Sequence, residues 1–575
     1  MFACIARLAN RDELRSVLSA PKDVDDATLL KMLFERWGAD GVARAVGAFA
    51  FAHWDGACLT LGRDCTRQCT LLFHLDEKRN TIAFSSDFGI LLSLPEVPRE
   101  IDEFALANFL VVNGRIPRRT LYRGIERVPA RHLVSYDGRT LRHKEYWTPN
   151  FTPPAHLRRF EDFVERGREL LDQAVAASLS CHDRVAISLS GGLDSSAVAA
   201  TAARLFPHRR FACYTKVPPV DFSVPPAAHR YTDEGSKVQA LGRMYPNLDL
   251  NIFTPQISDT PDVFEQRMLS QTQLPLLGVT LAAGMDGFYA RVRADGNEAT
   301  MNGNGGNAGL TWDGRYALVA LLRTGSITAF VREIVALARA RHRSIARIFA
   351  TDVLLNTAPE PIRRALRYLK GQRPDSVAAY SALNPEFIAE HDLVGYWRET
   401  GFDPLRKPAV DNPAADCAAF VFDRELGGRH NYNVIDDRNW GETLEPLLDR
   451  RLIEFCLQVP RHYFCRDGVD RAFGRAVLAD RLPPEILHER RRGGQDFDWF
   501  RRLNAQRARI GLDIARMENS PTARRLLDIP RLKRLFAEWP QDEASAERRA
   551  WEFQLVLARS VNAFRFIKYV EGGNG

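Results

Sequence analysis

One short segment constrains the fold of this chain more than any other. Residues 184–189 are apolar and partly β-branched and predict a buried strand, whereas residues 194–205 are rich in alanine and predict a helix. Gly191 and Gly192 stand between them, where they permit positive φ angles and remove Cβ atoms that would keep a ligand from the backbone. The segment therefore predicts a strand, a ligand-accessible turn and a helix in direct succession.

The side chains of this turn favour a phosphate group as the ligand. The start of the helix offers unpaired N–H groups and the positive end of the helix dipole, which attract an anion. Serine hydroxyls add donors, and the Asp194 carboxylate is suited to a hard divalent cation. The turn lacks the lysine of the GxxxxGK[ST] phosphate loop, and the alternative is an ordinary glycine connection capped by Asp and Ser. The predicted phosphate-binding residues are Leu189, Ser190, Gly191, Gly192, Asp194, Ser195 and Ser196.

The length of 575 residues exceeds what one hydrophobic core supports, so at least two domains are expected. No apolar run approaches a membrane span, the first residues lack a signal-peptide pattern, and the nine cysteines form no CxxC pair, which together favour a cytoplasmic protein. The net charge of +7 is modest. The basic run at 489–492 fits a solvated face, a nucleic-acid patch or a set of polyphosphate ligands.

The pattern of β-type runs predicts two domains with different sheets. Residues 42–147 carry short runs separated by polar or glycine-containing turns, which predict a sheet-rich first domain over 1–150. Strand-like and helix-like segments then alternate, which predicts an α/β second domain over 151–575 with a doubly wound parallel sheet and its ligand at the carboxyl ends of the strands. Residues 316–420 predict a helical addition, either a cover over the sheet or extra surface for a peptide.

The chain carries seven stretches, 47–51, 61–64, 83–86, 190–195, 445–449, 466–468 and 482–485, that resemble the asparagine synthetase family. Together they extend over nearly the whole chain. The first three are similar to the second half of its glutaminase domain, the fourth to its pyrophosphatase loop and the others to its C-terminal signature. The resemblance implies that ATP, with Mg²⁺, is cleaved between its α and β phosphates, so that a carboxylate becomes an acyl-adenylate that an amine attacks.

The first domain departs from the glutaminases of that family. Those enzymes use a cysteine that becomes the amino-terminal residue, whereas Phe2, in the sequence MFAC, is too large for routine removal of Met1 to expose Cys4. The glutamine-binding strings RGPD and NGEIYN of the family are absent as well. We therefore expect a degenerate glutaminase-like domain that does not hydrolyse glutamine, with Cys4 as a buried structural residue.

The second domain departs from asparagine synthetases in one loop. Where they carry an acidic string, this chain reads MNGNGGNAG, so that carboxylates are replaced by Asn304, Asn307 and Ala308. The loop still offers a glycine-rich backbone to a nucleotide, but it no longer suits an ammonia acceptor site built from acids. The residues of this loop that we expect to contact the nucleotide are Asn302 and Gly303.

The strings GNGGNAGLTWDG and ERRRGGQDFDW resemble those of the lasso-peptide cyclases, which belong to the same superfamily. The resemblance implies that an Asp or Glu side chain of a precursor peptide is adenylated and that the peptide's own N-terminal amine closes a macrolactam. A glutamate of the β-lactam-forming relatives in this superfamily is retained as Glu442, the expected acceptor of the ammonium proton. Their lysine is replaced by Arg471, which we expect to hold the charged intermediate or the pyrophosphate. Arg492 is an expected ATP ligand. The alternatives are a capping or ion-pairing role for Glu442 and a surface position for Arg471.

The resemblance also implies partners, namely the precursor peptide, a leader-peptide-binding protein and a leader peptidase. No nucleic-acid partner is expected, because the chain has neither a zinc ribbon nor a strongly basic domain. Three other functions stay open on the sequence. They are an amide ligase that uses ammonia on a small carboxylate, a non-catalytic ATP-binding scaffold and an RNA-modifying adenylating enzyme.

Overall fold

The computed structural model describes residues 1–180, 182–222, 230–231, 234–255, 261–369, 371, 376–404, 412–424, 441–494 and 496–572.

The first domain is built on two antiparallel sheets. The strands of the first domain are β1 (Phe2–Leu8), β2 (Gly47–Trp54), β3 (Leu59–Arg63), β4 (Leu72–Asp76), β5 (Thr81–Ser85), β6 (Ile125–Arg127), β7 (His132–Tyr136) and β8 (Leu141–Glu145). One sheet has the order β1-β2-β3-β7-β8 and the other β5-β4-β6.

Helices cover one face of the larger sheet. Alternate residues of β2, Phe49 and Phe51, are buried against Leu29, Leu30 and Leu33 of the second helix, because successive side chains of a strand point to opposite faces. That helix begins after Asp25, whose side chain accepts a hydrogen bond from the Thr28 backbone N–H. The helices of the domain are Arg11–Leu18, Asp26–Trp37, Ala39–Val42, Phe88–Leu92 and Glu103–Leu110.

The second domain contains a five-stranded parallel sheet of the order β12-β10-β9-β13-β14. The chain starts in the middle, at β9, adds two strands on one side and then two on the other. The carboxyl ends of β9 and β13 therefore lie at the point where the winding reverses, which is where open α/β sheets bind ligands. The strands after residue 150 are β9 (Val185–Ser188), β10 (Phe211–Lys216), β11 (Arg230–Tyr231), β12 (Leu248–Phe253), β13 (Ala299–Met301), β14 (Glu442–Leu444), β15 (Cys465–Arg466), β16 (Val469–Asp470) and β17 (Arg492–Gly493).

The predicted fold class is confirmed: a sheet-rich first domain is followed by an α/β domain with a doubly wound parallel sheet and helical additions. Within the described part of the predicted 316–420 addition, the structure is helical. Its helices are Ala317–Arg323, Ile327–Ala340, Ile345–Ile348, Phe349–Leu354, Leu355–Thr357, Glu360–Leu369, Pro385–Glu390, Leu393–Glu399 and Pro413–Phe422, of which Phe349–Leu354 is a π-helix. Residues 370, 372–375 and 405–411 of the addition lie outside the described residues.

The remaining helices surround the parallel sheet or follow it. Those up to residue 294 are Phe160–Leu179, Leu193–Leu205, Gly235–Met244, Pro261–Thr272 and Val279–Ala294. Those after β14 are Arg450–Gln458, Ala472–Leu478, Pro484–Leu487, Trp499–Ala505, Arg507–Met517, Pro521–Leu526, Ile529–Ala537, Glu543–Arg548, Trp551–Leu557 (a π-helix) and Ala558–Val570. Three-residue or four-residue 3₁₀ turns occur at Gly306–Ala308, Pro446–Leu448 and Arg461–Phe464.

One hydrophobic core is shared by the first domain and the helix Ala558–Val570. Leu106 and Tyr122 of the first domain are buried in the same cluster as Phe564 and Ile567 of the last helix. The Tyr122 hydroxyl donates a hydrogen bond of 2.7 Å to the backbone oxygen of Gln273. The first domain and the helix Ala558–Val570 therefore bury apolar surface against each other. Among the described residues, no helix combines the length and the apolar character needed to cross a bilayer.

Candidate active site

The predicted phosphate turn is held in shape by its own hydroxyl groups. The Ser190 backbone N–H donates to Ser195 Oγ at 3.0 Å, and the two serine hydroxyls also lie 3.0 Å apart. Gly191 has a φ of +61°, a left-handed conformation that favours glycine. The helix Leu193–Leu205 begins directly after Gly192. We call residues 190–195 the pyrophosphate loop, and its shape is set by contacts within the chain.

The glycine-rich loop after β13 packs tightly on the pyrophosphate loop. A Cβ added to Gly303 would lie 2.5 Å from the Ser195 backbone nitrogen and 2.6 Å from the Asp194 carbonyl carbon. Real Cβ atoms do not approach backbone this closely, so a side chain at residue 303 would force the two loops apart. The glycine at this position is therefore explained by packing between the loops, whether or not a nucleotide contacts it.

Asp194 is the buried carboxylate of the pyrophosphate loop. The Thr311 hydroxyl donates a hydrogen bond to its Oδ1. Burial raises the pKa of Asp194, and the Thr311 hydrogen bond and the cations Arg471 and Arg492 oppose that shift. The described residues hold no group of three or more His, Cys, Asp or Glu side chains that could ligate a metal ion. Asp194 thus fits a Mg²⁺ ion whose other ligands are phosphate oxygens and water.

The structure brings nearly all of the predicted site residues to one cavity of about 1830 Å³. Ser196 is the exception: its side chain is wholly buried in the helix, and it does not line the cavity. The cavity extends from Arg7 in the first domain, past the pyrophosphate loop, to Trp551 near the end of the chain. The predicted residues that line it are Leu189, Ser190, Gly191, Gly192, Asp194, Ser195, Asn302, Gly303, Glu442, Arg471 and Arg492.

Glu442 lies at the end of its strand that is remote from the pyrophosphate loop. It pairs with Ala299 of β13, which in turn pairs with Val185 at the start of β9. Ser190 lies five positions after Val185, about 16 Å along an extended chain. The Glu442 carboxylate forms an ion pair with Arg7 and lies 2.6 Å from His182 Nε2. The ion-pairing alternative is therefore realised in the structure, and the role of proton acceptor stays a prediction.

Glu445, at the opposite end of β14, was overlooked as a site residue on the sequence. It is buried beside the cavity, and its Oε1 accepts a hydrogen bond of 2.8 Å from Asn304 Nδ2. Asn304 follows β13, so this bond joins the carboxyl ends of two adjacent strands. A strand assignment for residues 442–444 would have found Glu445, because ligand-binding residues gather at the carboxyl ends of parallel strands.

Two lysines were also overlooked on the sequence: Lys216, which lines the cavity, and Lys237, which lies behind its wall. Lys216 is the last residue of β10 and lines the cavity; burial lowers its pKa, opposed chiefly by Asp496. Lys237, on the helix Gly235–Met244, is buried and forms an ion pair with Glu489. The position of Lys216 at a strand end is a signal that the sequence carries. Lys237 reaches the site only through helix packing, for which the sequence gives no local signal.

Cys4 was predicted to be buried, and this prediction is wrong. The residue is half-buried, because it lies in β1 at the edge of the larger sheet, where β1 pairs only with β2 among the described strands. Its partial burial, followed by the charges of Asp25 and Asp26, raises the pKa of its thiol. A thiol with a raised pKa is mostly protonated at neutral pH and is a poor nucleophile.

The fold and the site define a class of protein: a two-domain α/β protein with a sheet-rich first domain and, at the switch point of a parallel sheet, a glycine- and serine-containing loop whose chemistry suits a phosphate. The sequence profile of the glutamine amidotransferase domain matches residues 8–147. The asparagine synthase profile matches residues 166–307 and 435–562. The two profiles together match more than two thirds of the chain. The chain belongs to the asparagine synthetase family.

Three curated relatives illustrate the range of this family. A glutamine-hydrolysing asparagine synthetase of Bacillus subtilis is 29% identical over 35% of this chain and 33% of its own length. The amidase ChyE of Penicillium rubens is 26% identical over 51% of this chain and 44% of its own length. The carboxyethyl-arginine β-lactam synthase of Streptomyces clavuligerus is 30% identical over 34% of this chain and 36% of its own length. The chain thus spans between a third and a half of these relatives.

Proposed function

We propose that the protein is an ATP-dependent, AMP-forming ligase that makes an amide bond from a carboxylate and an amine. The observation that carries this proposal is the preformed pyrophosphate loop at the switch point of the sheet, with Asp194, Arg471 and Arg492 around it. A loop of backbone N–H groups and hydroxyls followed by a helix start suits a polyphosphate. Two arginines beside it suit the negative charge that builds on a departing pyrophosphate.

We infer further that the substrate is a precursor peptide and that the product is a macrolactam of the lasso type. The cavity of about 1830 Å³ supports this, because pockets for small ligands usually measure about 300–1,000 Å³. Asn304 and Asn307 stand where the family has carboxylates, and this change supports a nucleophile other than ammonia. A relative named as a β-lactam synthase supports ring formation as a reaction of this family. A leader-peptide-binding protein and a leader peptidase are the proposed partners.

The proposed reaction has two steps. In the first, an oxygen of the acceptor carboxylate attacks the α phosphorus of ATP, the bond to the α–β bridging oxygen breaks, and pyrophosphate leaves. In the second, the amine nitrogen attacks the acyl carbon, the bond between that carbon and the phosphate oxygen breaks, and AMP leaves. One proton of the amine passes to a base. Every ring closed therefore consumes one ATP and yields one AMP, one pyrophosphate and one amide.

The chain's own residues serve these steps by position and charge. The backbone and serine hydroxyls of the pyrophosphate loop hold the terminal phosphates, while Arg471 and Arg492 stabilise the charge of the leaving group. Asp194 and the phosphate oxygens would hold Mg²⁺, which neutralises part of that charge when bound. Glu442, hydrogen-bonded to His182, is the proposed proton acceptor, and Glu445 beside Asn304 is the competing candidate.

The decisive experiment first searches the genes beside this one for a short peptide, a peptidase and a leader-binding protein, and then supplies those proteins to the purified enzyme with ATP and Mg²⁺. We expect AMP and pyrophosphate as products, and a core peptide whose mass is lower by one water. Formation of ADP and phosphate would contradict the proposal. Turnover with ammonia and a small acid, but not with the peptide, would identify the ammonia-using ligase instead. ATP binding without any turnover would identify a scaffold.

A further inference from the structure

A buried ion pair lies directly behind the pyrophosphate loop. Lys237 is 8% exposed, and its Nζ lies 2.9 Å from Glu489 Oε2 and 3.1 Å from the ring centroid of Tyr231. The helix that carries Lys237 packs on the loop itself, because a Cβ added to Gly191 would lie 3.1 Å from the Lys237 Cβ. The pair therefore joins the wall of the loop to the segment that begins at Glu489.

Glu489 orders the basic segment, which we define as residues 490–492. Its Oε1 accepts a hydrogen bond of 2.9 Å from the Arg491 backbone N–H, and its Oε2 accepts one of 2.9 Å from Arg491 Nη2. Hydrogen bonds, those from the Arg491 side chain foremost, lower the pKa of Glu489 to about 2, so it is ionised at neutral pH. Buried Arg475 donates from Nη2 to the Glu489 backbone oxygen at 2.9 Å.

The far end of the basic segment is fixed by strand pairing. Arg492 pairs with Arg230, and Gly493 with Tyr231, in the small parallel sheet β11–β17. Arg490 and Arg492 line the cavity, and neither forms an ion pair with a carboxylate of the described chain. Arg492 and Asp194 of the pyrophosphate loop line the same cavity. Two guanidinium groups without a carboxylate partner among the described residues are thus held beside a loop suited to phosphates.

We propose that Lys237 and Glu489 are positioning residues, whose ion pair holds the basic segment over the pyrophosphate loop so that Arg490 and Arg492 bind the phosphates of ATP. This inference rests on the proposed ATP-dependent function. Neither Lys237 nor Glu489 touches the nucleotide in this arrangement. They hold the two arginines in the position that binds the phosphates. Because the segment is already ordered, ATP binding does not have to supply the conformational entropy of ordering it.

The test measures the affinity of the full-length protein for ATP, pyrophosphate and AMP by calorimetry. If Glu489→Gln leaves the segment in place in only about one molecule in ten, the Kd for ATP and for pyrophosphate rises about tenfold. The Kd for AMP stays unchanged, because AMP lacks the terminal phosphates. Lys237→Met gives the same pattern, and Lys237→Arg, which keeps the charge, restores affinity. Lys533→Met, which removes the exposed Lys533–Glu518 pair, is the matched control and changes no affinity.

Two results would overturn the inference without contradicting the proposed function. One is unchanged affinity for ATP and pyrophosphate in Glu489→Gln and Lys237→Met while the wild-type protein binds both ligands, and this result leaves the proposed function intact. The other is an equal loss for ATP, pyrophosphate and AMP together with a lower unfolding temperature, which assigns the pair a structural role. A wild-type protein that binds neither ATP nor pyrophosphate overturns the proposed function and the inference together.

Discussion

Asn304 Nδ2 donates a hydrogen bond of 2.8 Å to Glu445 Oε1, and this bond joins the carboxyl ends of β13 and β14 beside the pyrophosphate loop. Glu442 lies at the other end of β14, where it pairs with Arg7 of the first domain and with His182. One short strand and the residue that follows it thus carry two carboxylates with different surroundings. Only one of them adjoins the glycine-rich loop, so their roles in the amine step can be separated by substitution.

We expect Glu442→Gln to retain pyrophosphate exchange into ATP, which reports carboxylate activation, and to lose ring formation. Glutamine keeps the shape and hydrogen bonding of the side chain but removes its basicity, and a general base is worth about two to four orders of magnitude in rate. Both activities are measured with the peptide substrate. Glu445→Gln is the matched variant: if it alone loses only ring formation, the base is Glu445. If exchange and ring formation fall together in Glu442→Gln, the residue serves binding or folding.

Asp194→Ala and Asp194→Asn should abolish the formation of AMP and pyrophosphate while the protein remains folded. In the proposed function this carboxylate holds the cation beside the phosphates. Burial of its charge, with a hydrogen bond from the Thr311 hydroxyl, disfavours the folded state, so its removal should leave the protein folded. Product formation is measured by nucleotide chromatography and folding by circular dichroism. Retained AMP formation in Asp194→Asn would show that the loop binds phosphates without a carboxylate-held cation.

The pH dependence of stability should reveal the buried charge of Asp194. Burial raises its folded pKa above the ordinary value of 3.8, so the folded state binds more protons than the unfolded state and loses stability as pH rises through the range between the two values. The unfolding temperature of Asp194→Asn, relative to wild type, should therefore rise as the pH increases above 3.8. Asp162→Asn is the control with the opposite sign: hydrogen bonds from the Arg159 and Arg158 backbone lower the Asp162 pKa to about 2, so the unfolding temperature of this variant relative to wild type falls as the pH increases from about 2 to 3.8. A flat difference for Asp194→Asn would mean that the carboxyl stays solvated.

Gly303→Ala should destabilise the protein by about 1–3 kcal/mol, the usual range for overpacking. The added methyl group would meet the backbone of Asp194 and Ser195, which cannot move without disturbing the pyrophosphate loop. Gly192→Ala is the matched control: its φ is −80°, and its Cβ would lie 3.4 Å from Ser190 Oγ, an ordinary contact. Urea unfolding measures both. Equal stability of the two variants would show that the loops are not in close contact.

Glutamine should be neither required nor hydrolysed. The Cys4 thiol has a raised pKa and is protonated at neutral pH, so it lacks the reactivity that a glutaminase nucleophile needs. Glutamate release from glutamine is measured for the wild-type protein and for Cys4→Ala. Release that disappears in the Cys4→Ala variant would show that the first domain retains a working glutaminase site.

Much of the fold could be predicted because local patterns determine its elements. The run at 184–189 is apolar enough to be a central strand, and the observed strand is Val185–Ser188; the alanine-rich run at 194–205 is the helix Leu193–Leu205. The half-exposure of Cys4 could not be predicted, because it follows from the place of β1 at the edge of its sheet. The residues of a strand do not determine which other strands will pair with it.

The sequence alone determined the pyrophosphate loop, since the glycines, the serines and Asp194 are adjacent in the chain and a strand-to-helix turn gathers them without help from elsewhere. Only the tertiary structure decided which distant groups meet that loop. Asn304 reaches Glu445 because β13 and β14 lie side by side, and Lys237 reaches Glu489 because a helix packs behind the loop. The physical reason is that strand order and helix packing are set by burial of apolar surface over the whole domain, which depends on area and shape rather than on any local run of residues.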